Sequence, residues 1–539
     1  MRRFILPATC IFLFGVLLGT TLVDSFFVDG DASNLRKVEE AYSVIVNRYV
    51  DGVDADALTQ SAIYGMLDNL DPHSTYISRS EVQSVQAGFE GEFGGVGIWY
   101  EVVADSPRVS SVVPEGPSAR AGILPGDRIV AIEGFSAVGD STRTVQRRLR
   151  GKIGTDVSVA VKRRGVDELL PFTIVRGSIP LFSVDAAYML DDRTGLIRMG
   201  RFAATTHGEF MEKVDELQAA GMERIVVDVR DNPGGVMEAA VRIADEFLPA
   251  GYDIVETKGR RGSTTRVERS TDGGRLETTP VIVLVNENSA SASEILAGAI
   301  QDNDRGLVVG HRTFGKALVQ QQFQLDDGSV IHLTVSRYYT PSGRLIQTPY
   351  EGADMSGYLA QKFENAYVLD AERLPDSLTF STRTGRVVAG GGGILPDHIV
   401  DAEASSPYAH PLLGAVTRTM ADIRFVRDLF DREQDAWRVR WDGREAEFMQ
   451  SYEVDDALLA SFWRFVDDGR ILSGQSATGD SAARTAVGPP LRILLKARIA
   501  QNLFGIAAYY PVIQAVDVDL DVVAESWPEA VAFAEPYAR

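Results

Sequence analysis

Five consecutive apolar residues, Val281–Val285, lead into a serine-rich segment and then into a second apolar stretch. An uninterrupted apolar run of this length predicts a strand buried on both faces, as in a parallel sheet. Residues 295–300 predict a helix, so the sequence Ser-Ala-Ser-Ala-Ser-Glu at 289–294 falls at a strand-to-helix turn. Unpaired N–H groups at a helix N-terminus can stabilise a negative charge. A serine at this turn therefore meets one requirement of a nucleophile, and the other requirement is a base.

Composition narrows the classes of protein that the chain can belong to. Its 539 residues are enough for roughly three or four domains. The formal net charge of -21 argues against nucleic acid as a partner, because binding phosphates requires a basic surface. The single cysteine, Cys10, excludes an intramolecular disulfide, and the six histidines are not paired at the spacing of metal ligands. We therefore expect neither a metal nor an organic cofactor.

The N-terminus predicts a membrane segment. Arg2 and Arg3 precede the uncharged residues 4–23, which as a helix would span about 30 Å, the thickness of a bilayer core. The two arginines favour a cytoplasmic N-terminus. A signal peptide would look similar, but we favour an uncleaved anchor over residues 1–28, because no convincing cleavage site follows. The rest of the chain is then expected in the cell envelope, on the extracytoplasmic (periplasmic) side, or secreted if the segment is cleaved.

The next two segments differ in their residue patterns. Residues 33–85 show helical spacing of apolar side chains, whereas residues 86–178 contain short strands and many glycines. The pattern Ala121-Gly122-Ile123…Gly126-Asp127 makes the second segment resemble a PDZ domain. The resemblance implies that backbone N–H groups before the next strand bind the terminal carboxylate of a peptide, which then pairs with that strand. The predicted peptide-binding residues are Gly94, Gly95, Val96, Gly97 and Ile98. A small β-barrel without a ligand is the alternative.

Residues 179–400 predict an α/β core with a mostly parallel sheet, because strands and helices alternate. A buried strand that begins at Arg224 runs into the glycine turn at residues 231–235, and ligand sites in such sheets lie at the carboxyl ends of strands. Residues 348–391 are predicted to be an insertion. Residues 401–539 are helical and acidic, and we expect them to serve packing, oligomerisation or partner binding.

The first candidate for the base is Lys316, which follows Ser291 by 25 residues. A lysine accepts a proton only when neutral, so its pKa has to fall from about 10.4 toward 7–8. Gln320 lies four residues further along a strand, on the same face, and could hold the amine without adding charge. His311 is an alternative base, and spacing alone leaves open that the serines only pack tightly. Residues 310–316 match a phosphate loop, but Ala317 stands where the magnesium ligand belongs.

Four motifs follow the PDZ-like segment in order: Asp228-x-Arg230-x-Asn232-Pro233-Gly234-Gly235, the serine run 289–294, Thr313-Phe314-Gly315-Lys316-x-x-x-Gln320 and Tyr339-Thr340-Pro341-Ser342-Gly343. Together they resemble the C-terminal processing proteases, also called tail-specific proteases, over residues 35–400. The resemblance implies a multidomain α/β fold: a crotonase-like protease core, an inserted PDZ domain, an N-terminal helical segment and a helical C-terminal extension. The expanded 348–391 segment and the extension depart from the simplest pattern of the family.

The same resemblance assigns roles to residues at the motif positions. Ser291 is the expected nucleophile, Lys316 the general base and Gln320 its support. The backbone N–H groups of Gly235 (or Gly234) and Ala292 are expected to form the oxyanion hole. The residues expected to support the site are Arg230, Glu294 and Thr313.

The sequence therefore predicts a membrane-anchored serine endopeptidase with a Ser–Lys dyad. We expect it to cleave proteins, often unfolded or tail-marked, near C-termini that its PDZ domain recognises. The expected partners are polypeptide substrates, with an unknown adaptor and a homo-oligomer as further options. The alternative is a catalytically silent PDZ scaffold that binds C-terminal peptides. The joint presence of Ser291, Lys316 and Gln320 argues against that alternative.

Overall fold

A computed structural model describes residues 31–103, 105–260, 265–350, 357–358, 376–400, 410–472 and 481–537. The predicted anchor at 1–28 and most of the predicted insertion at 348–391 lie outside these residues. The chain divides into two compact units, Met1–Tyr76 and Ile77–Arg539. In the described part of the first unit, helices α1 (Asp31–Arg48) and α2 (Ala55–Leu67) form as the apolar spacing predicts. A short strand, β1 (Thr75–Ile77), spans the boundary between the units.

The second unit begins with helix α3 (Arg79–Glu90), which ends at Gly91 with a φ of 80°. The PDZ-like segment follows as a strand-rich body with two helices. Its elements are β2 (Glu92–Gly95), β3 (Ile98–Val103), β4 (Ser106–Val112), α4 (Pro117–Ala121), β5 (Arg128–Ile132), β6 (Phe135–Ser136), α5 (Thr142–Leu149), β7 (Asp156–Lys162), β8 (Leu170–Val175) and β9 (Gly177–Pro180). The antiparallel order β3-β4-β5-β7-β8 leaves β3 at an edge of its sheet, and β2 pairs with β9.

The central α/β body alternates strands and helices as predicted. Its elements are β10 (Val184–Met189), β11 (Thr194–Met199), α6 (Thr206–Ala219), β12 (Arg224–Asp228), α7 (Met237–Phe247), β13 (Asp253–Gly259), β14 (Arg266–Arg269), β15 (Val281–Val285), α8 (Ala292–Asp302), β16 (Leu307–Gly310), β17 (Leu318–Gln324), β18 (Val330–Tyr339), β19 (Thr379–Ser381), β20 (Val387–Ala389) and β21 (His398–Ile399). The main sheet has the order β10-β11-β12-β15-β16-β21 and is parallel from β11 to β21. The predicted mixed α/β architecture is confirmed.

The parallel register explains why two distant motifs lie side by side. Asp228 in β12 is paired with Leu284 in β15, so the two strands end at the same edge of the sheet. The glycine turn leaves β12 at this edge, and the serine run leaves β15 there. All five residues of β15 are fully buried, as its continuous apolar sequence predicts. A second, antiparallel sheet contains β17, β18, β13 and β14 in that order.

The C-terminal region is helical where the structure describes it. Its helices are α9 (Pro411–Arg418), α10 (Ala421–Trp441), α11 (Glu445–Ser451), α12 (Asp456–Asp468), α13 (Ser481–Ala486), α14 (Gly488–Phe504), α15 (Tyr510–Ile513) and α16 (Val518–Ala534). Residues from α9 to α15 share an apolar core of their own. Helix α16 instead packs on the main sheet, where Val523 and Trp527 contact the apolar face formed by β11, β12, β15 and β16. Helices α6, α7 and α8 cover the opposite face.

The helical region also contacts the PDZ-like body. Arg108 in β4 forms an ion pair with Asp431 in α10 at 2.7 Å. Arg438, also in α10, donates to the carbonyl oxygen of Ser110 at 2.9 Å. Both pairs are partly exposed, so each contributes little to stability, on the order of 0–1 kcal/mol. The C-terminal region therefore contacts the PDZ-like body through α10 and the main sheet through α16.

Candidate active site

Several of the predicted site residues line one cavity of about 660 Å³ at the carboxyl edge of the main sheet. Ser291 follows β15, the glycine turn follows β12, and Lys316 precedes β17, so three separate segments meet there. Gln320 and His332 face the same cavity from β17 and β18. The sequence predicts Ser291, the glycine turn, Lys316 and Gln320 as site residues, but it assigns no role to His332.

Ser291 differs from its two neighbouring serines in conformation and contacts. It precedes α8 with φ 55° and ψ -110°, a sparsely populated backbone conformation that costs on the order of 1–3 kcal/mol. The hydroxyl of Ser289 donates to the carbonyl oxygen of Val229 at 2.8 Å, and that of Ser293 donates to the carbonyl oxygen of Asn232 at 2.9 Å. Both neighbours therefore use their hydroxyls in buried packing, whereas Ser291 lines the cavity.

The glycine turn approaches Ser291 so closely that side chains are excluded. A Cβ on Gly234 would lie 2.8 Å from the Cβ of Ser291, and one on Gly235 would overlap the carbonyl oxygen of Phe202, which follows β11. Both glycines also have positive φ, 93° and 142°. The N–H of Gly234 donates to Oδ1 of Asn232 at 2.9 Å. This bond occupies the Gly234 donor and leaves Gly235 as the glycine whose N–H faces no acceptor within the described residues.

Ala292 supplies the first N–H group of helix α8, next to Ser291. Within the part of the chain that the structure describes, this N–H also meets no acceptor, as expected for the first turn of a helix. A Cβ on Gly234 would lie 2.9 Å from this nitrogen, so the glycine turn and the start of α8 are in contact. The arrangement can present the N–H groups of Gly235 and Ala292 to one oxyanion.

Lys316 and Gln320 are in direct contact. Nζ of Lys316 donates to Oε1 of Gln320 at 2.8 Å. His332 lies across the pair of strands, opposite Gln322, and its ring meets that of Phe89 edge to face with centroids 6.1 Å apart. Burial lowers the pKa of His332, and the positive charge of Lys316 lowers that pKa further. The imidazole is therefore neutral at pH 7 and adds no charge beside Lys316.

The buried carboxylate of Glu294 joins the serine and lysine segments. Its four donors are the N–H groups of Ser291 (2.8 Å), Gly315 (2.6 Å) and Lys316 (2.9 Å) and the hydroxyl of Thr313 (2.6 Å). Burial raises the pKa of Glu294 to about 7, against the effect of these hydrogen bonds. Two motifs that are separate in sequence are thus held together through one side chain.

Tyr338, at the end of β18, makes a second connection between the same two segments. Its hydroxyl lies 3.1 Å from the carbonyl oxygen of Ser291 and 2.8 Å from that of Lys316. The residue is fully buried, and burial raises its pKa well above the usual value, so it remains a neutral donor. The spacing of the motifs contained no signal for this tyrosine.

Arg230 and His311 lie outside the residues that line the cavity. Arg230 is buried and forms ion pairs with Asp228 and with two carboxylates of the C-terminal region, Asp517 and Asp519. His311, the alternative base, has Nδ1 3.4 Å from a carboxylate oxygen of Glu287. Lys316 therefore lines the same cavity as Ser291, whereas His311 does not.

Four of the five predicted peptide-binding residues line a separate groove of about 250 Å³, and Gly94 does not. Gly94 and Gly95 belong to strand β2 rather than to a loop, because they pair with Ser178 and Gly177 of β9. Gly95, Val96, Gly97 and Ile98 line the groove together with α5. Edge strand β3 begins at Ile98, so a peptide strand has space to pair with it.

Three parts of the chain match models of known protein families. Residues 193–354 match the model of peptidase family S41, residues 108–163 that of a PDZ domain, and residues 24–81 that of the activating protease CtpB N-terminal domain. A carboxy-terminal-processing protease of Bartonella bacilliformis is 33% identical over 346 residues, which are 62% of this chain and 79% of the relative. The chain belongs to the carboxy-terminal-processing proteases of family S41. The predicted family and its protease class are confirmed.

Other members and a solved structure are similar to the chain. The carboxy-terminal processing protease CtpA of Bacillus subtilis is 33% identical over 350 residues, 62% of this chain and 74% of the relative. The structure of a photosystem II D1 C-terminal processing protease is 30% identical, covering 58% of this chain and 83% of that one, with a TM-score of 0.34. Among the described residues of this family member, no helix has both the length and the apolar character to cross a bilayer. The anchor at residues 4–23 stays a prediction.

Replacing Glu294 with glutamine should weaken the fold and the activity of this protease together. An amide has a single acceptor oxygen, so it leaves at least one of the four buried donors unsatisfied, at about 1–3 kcal/mol each. We expect the free energy of unfolding to fall by that amount and kcat to fall about tenfold or more, as the Ser291 and Lys316 segments separate.

The matched control is Glu287→Gln, which alters a partly exposed carboxylate paired with His311. Chemical denaturation and peptide cleavage should show a change below about 0.5 kcal/mol and near-normal kcat for this control. Equal effects of the two substitutions would contradict the role of Glu294.

Proposed function

We propose that this protease is a serine endopeptidase in which Ser291 is the nucleophile and Lys316 the general base. One observation carries the proposal: Ser291, Lys316 and the glycine turn line the same cavity, while Glu294 binds the backbone of both Ser291 and Lys316. Gln320, at 2.8 Å from Lys316 Nζ, orients the amine as a neutral hydrogen-bond partner. Positioning of both reacting groups by a shared buried contact is what a two-residue catalytic unit requires.

In the first step, Oγ of Ser291 attacks the scissile carbonyl carbon while neutral Lys316 takes the hydroxyl proton. The carbonyl oxygen becomes an oxyanion that accepts hydrogen bonds from the N–H groups of Gly235 and Ala292. The lysine then gives the proton to the departing amine, and the C–N bond breaks to leave an acyl-enzyme. Water hydrolyses the ester in a second cycle with the same base. Loss of one oxyanion donor typically costs about 2.7–4 kcal/mol of transition-state stabilisation.

We further propose that the PDZ domain binds the C-terminus of the substrate. Val96, Gly97 and Ile98 are at the end of the groove where edge strand β3 begins, so their N–H groups would receive the carboxylate. The peptide would extend along β3 as an added strand. Unfolded or tail-marked proteins fit this mode, because only a free and extended C-terminus can be inserted.

The cellular setting of the protease is part of the same proposal. Residues 4–23 would hold the protein in the membrane with its catalytic body on the extracytoplasmic side, or would be removed to give a secreted form.

Helix α1 exposes apolar side chains along its length, including Leu35, Val38, Val44 and Ile45, which is compatible with a homo-oligomer. A separate adaptor protein is the other option for substrate delivery.

Substitution of single serines tests the assignment of the nucleophile. We expect Ser291→Ala to abolish labelling by a fluorophosphonate and to reduce peptide cleavage by about 10⁴-fold or more. Ser289→Ala and Ser293→Ala are matched controls that should retain labelling and lose only stability, about 0.5–1.5 kcal/mol, because each removes one buried hydrogen bond to a carbonyl oxygen that keeps a backbone donor. Labelling and cleavage that survive in Ser291→Ala would refute the assignment, and no turnover in the wild type would favour the silent scaffold.

The pH dependence of kcat/KM tests the base. If neutral Lys316 accepts the proton, activity falls on the acidic side with an apparent pKa well below the value of about 10.4 for free lysine. Lys316→Arg, which stays protonated, should be inactive across the whole range. Glu294 could also cause an acid limb, because burial raises its pKa to about 7. If Lys316 is the source, the residual activity of Glu294→Gln should keep the acid limb. An acid limb that persists in Lys316→Arg would exclude Lys316 as its source.

Peptides of matched sequence test recognition by the PDZ domain. A peptide with a free C-terminal carboxylate should bind the Ser291→Ala protein at least tenfold more tightly than its C-terminal amide, as measured by fluorescence anisotropy. The difference arises because the amide removes the negative charge that the N–H groups receive. Equal affinity for the two peptides would count against capture of the carboxylate.

A further inference from the structure

The side chain of Arg230 is enclosed by carboxylates from two parts of the chain that are almost 300 residues apart. Within its own strand region, Nε and Nη2 donate to Asp228 at 3.0 and 2.8 Å. From the C-terminal region, both oxygens of Asp517 accept at 2.9 and 2.8 Å, and Asp519 accepts at 2.7 Å. The guanidinium is 13% exposed and the two distant carboxylates are 19% and 13% exposed. Charge-assisted bonds at these distances fix the relative positions of both backbones.

The two C-terminal carboxylates are held by a firmly docked helix. Asp517 is the N-cap of α16, and its side chain accepts from the N–H of Asp519. Further along α16, Val523, Trp527 and Ala530 are buried against the main sheet. The helix is therefore a layer of the core, and its first turn cannot move without disturbing that packing.

Arg230 is joined directly to the turn that carries the proposed oxyanion donor. The next residue, Asp231, has a φ of 60° and accepts from the side-chain amides of Asn286 and Asn288. Asn232 then donates through Nδ2 to the carbonyl oxygen of Met199 and accepts from Gly234. The turn is thus held at its start by Arg230 and at its middle by Asn232. A displacement of Arg230 would be passed along the four intervening residues to Gly235.

We propose that Asp517 and Asp519 are positioning residues of the active site, which hold Arg230 and thereby fix the glycine turn beside Ser291. This inference rests on the proposed function only for its catalytic consequence. The segment that matches the S41 model ends at residue 354, so both carboxylates come from outside it. The C-terminal extension accordingly completes the catalytic body in addition to packing against it.

The test compares two sets of carboxylate-to-amide substitutions in helix α16 of the full chain. Asp517→Asn/Asp519→Asn removes the two C-terminal charges that face Arg230 and leaves Asp228 in place, while asparagine keeps the ability to cap the helix. Glu529→Gln is the matched control, because Glu529 lies on the same helix but pairs with His398 of β21, at 2.8 Å, and not with Arg230. Three quantities are measured: kcat and KM on a peptide substrate, inhibition by a peptide aldehyde that occupies the oxyanion hole, and hydrogen exchange of peptides covering residues 229–237.

We expect the double variant to lose at least tenfold in kcat and in affinity for the aldehyde, with KM within about twofold, because only the transition state uses the oxyanion donors. Exchange at residues 229–237 should rise in the double variant and stay at the wild-type level in Glu529→Gln. Unchanged kcat and exchange in the double variant would overturn the proposal, as would equal losses in the control.

Two further measurements cover a double variant that does not fold and a wild type that does not cleave peptides. If the double variant does not fold, Asp519→Asn alone leaves the helix cap of Asp517 intact and should show a smaller loss of kcat in the same direction, and an unchanged kcat would overturn the proposal. If the wild type does not cleave peptides, the proposed function fails, but the exchange measurement still decides whether Asp517 and Asp519 hold the turn.

Discussion

The active site depends on one buried carboxylate. Glu294 receives hydrogen bonds from the backbone of Ser291 and from that of Lys316, which belong to segments that leave different strands. A buried carboxylate is costly unless its oxygens are fully hydrogen-bonded, and here four donors are arranged around it. The cost of burial thereby enforces a single geometry, since any separation of the two segments leaves charge or donors unsatisfied. Tyr338 adds a neutral contact to the same pair of backbones.

The sheet supplies the second constraint. Parallel strands bring their carboxyl ends to one edge of the sheet. The turn after β12 and the turn after β15 therefore meet because these two strands pair in parallel. The close approach of these turns demands glycine at 234, because a Cβ there would overlap Ala290 and Ser291, and the close approach of Phe202, after β11, demands glycine at 235. The strained backbone of Ser291 is tolerated because its N–H donates a hydrogen bond to the carboxylate of Glu294.

Local patterns allowed much of this fold to be predicted from the sequence. The continuous apolar run of β15, the alternation of strands and helices, and the residue types at 289–294 and 316–320 all act over short distances, where spacing is informative. Contacts between distant segments could not be predicted in the same way. The choice between Gly234 and Gly235 depends on the hydrogen bond that the Gly234 N–H donates to the side chain of Asn232. Gly94 and Gly95 join a strand because Ser178 and Gly177 of β9, 84 and 82 residues later, pair with them. Periodicity also cannot show that Tyr338 reaches two carbonyl oxygens.

The C-terminal extension shows why a domain boundary inferred from sequence pattern can differ from the boundary of a packed core. The main sheet has two apolar faces, and α6, α7 and α8 cover one of them. Leu196, Val226, Ile282 and Leu284 point to the other face, where Val523 and Trp527 of α16 bury them. Without this helix, a wide apolar surface would face water at roughly 25 cal/mol per Å². The stability of the sheet therefore requires α16, and the same docking brings Asp517 and Asp519 to Arg230, so that one helix both completes the core and reaches the turn beside Ser291.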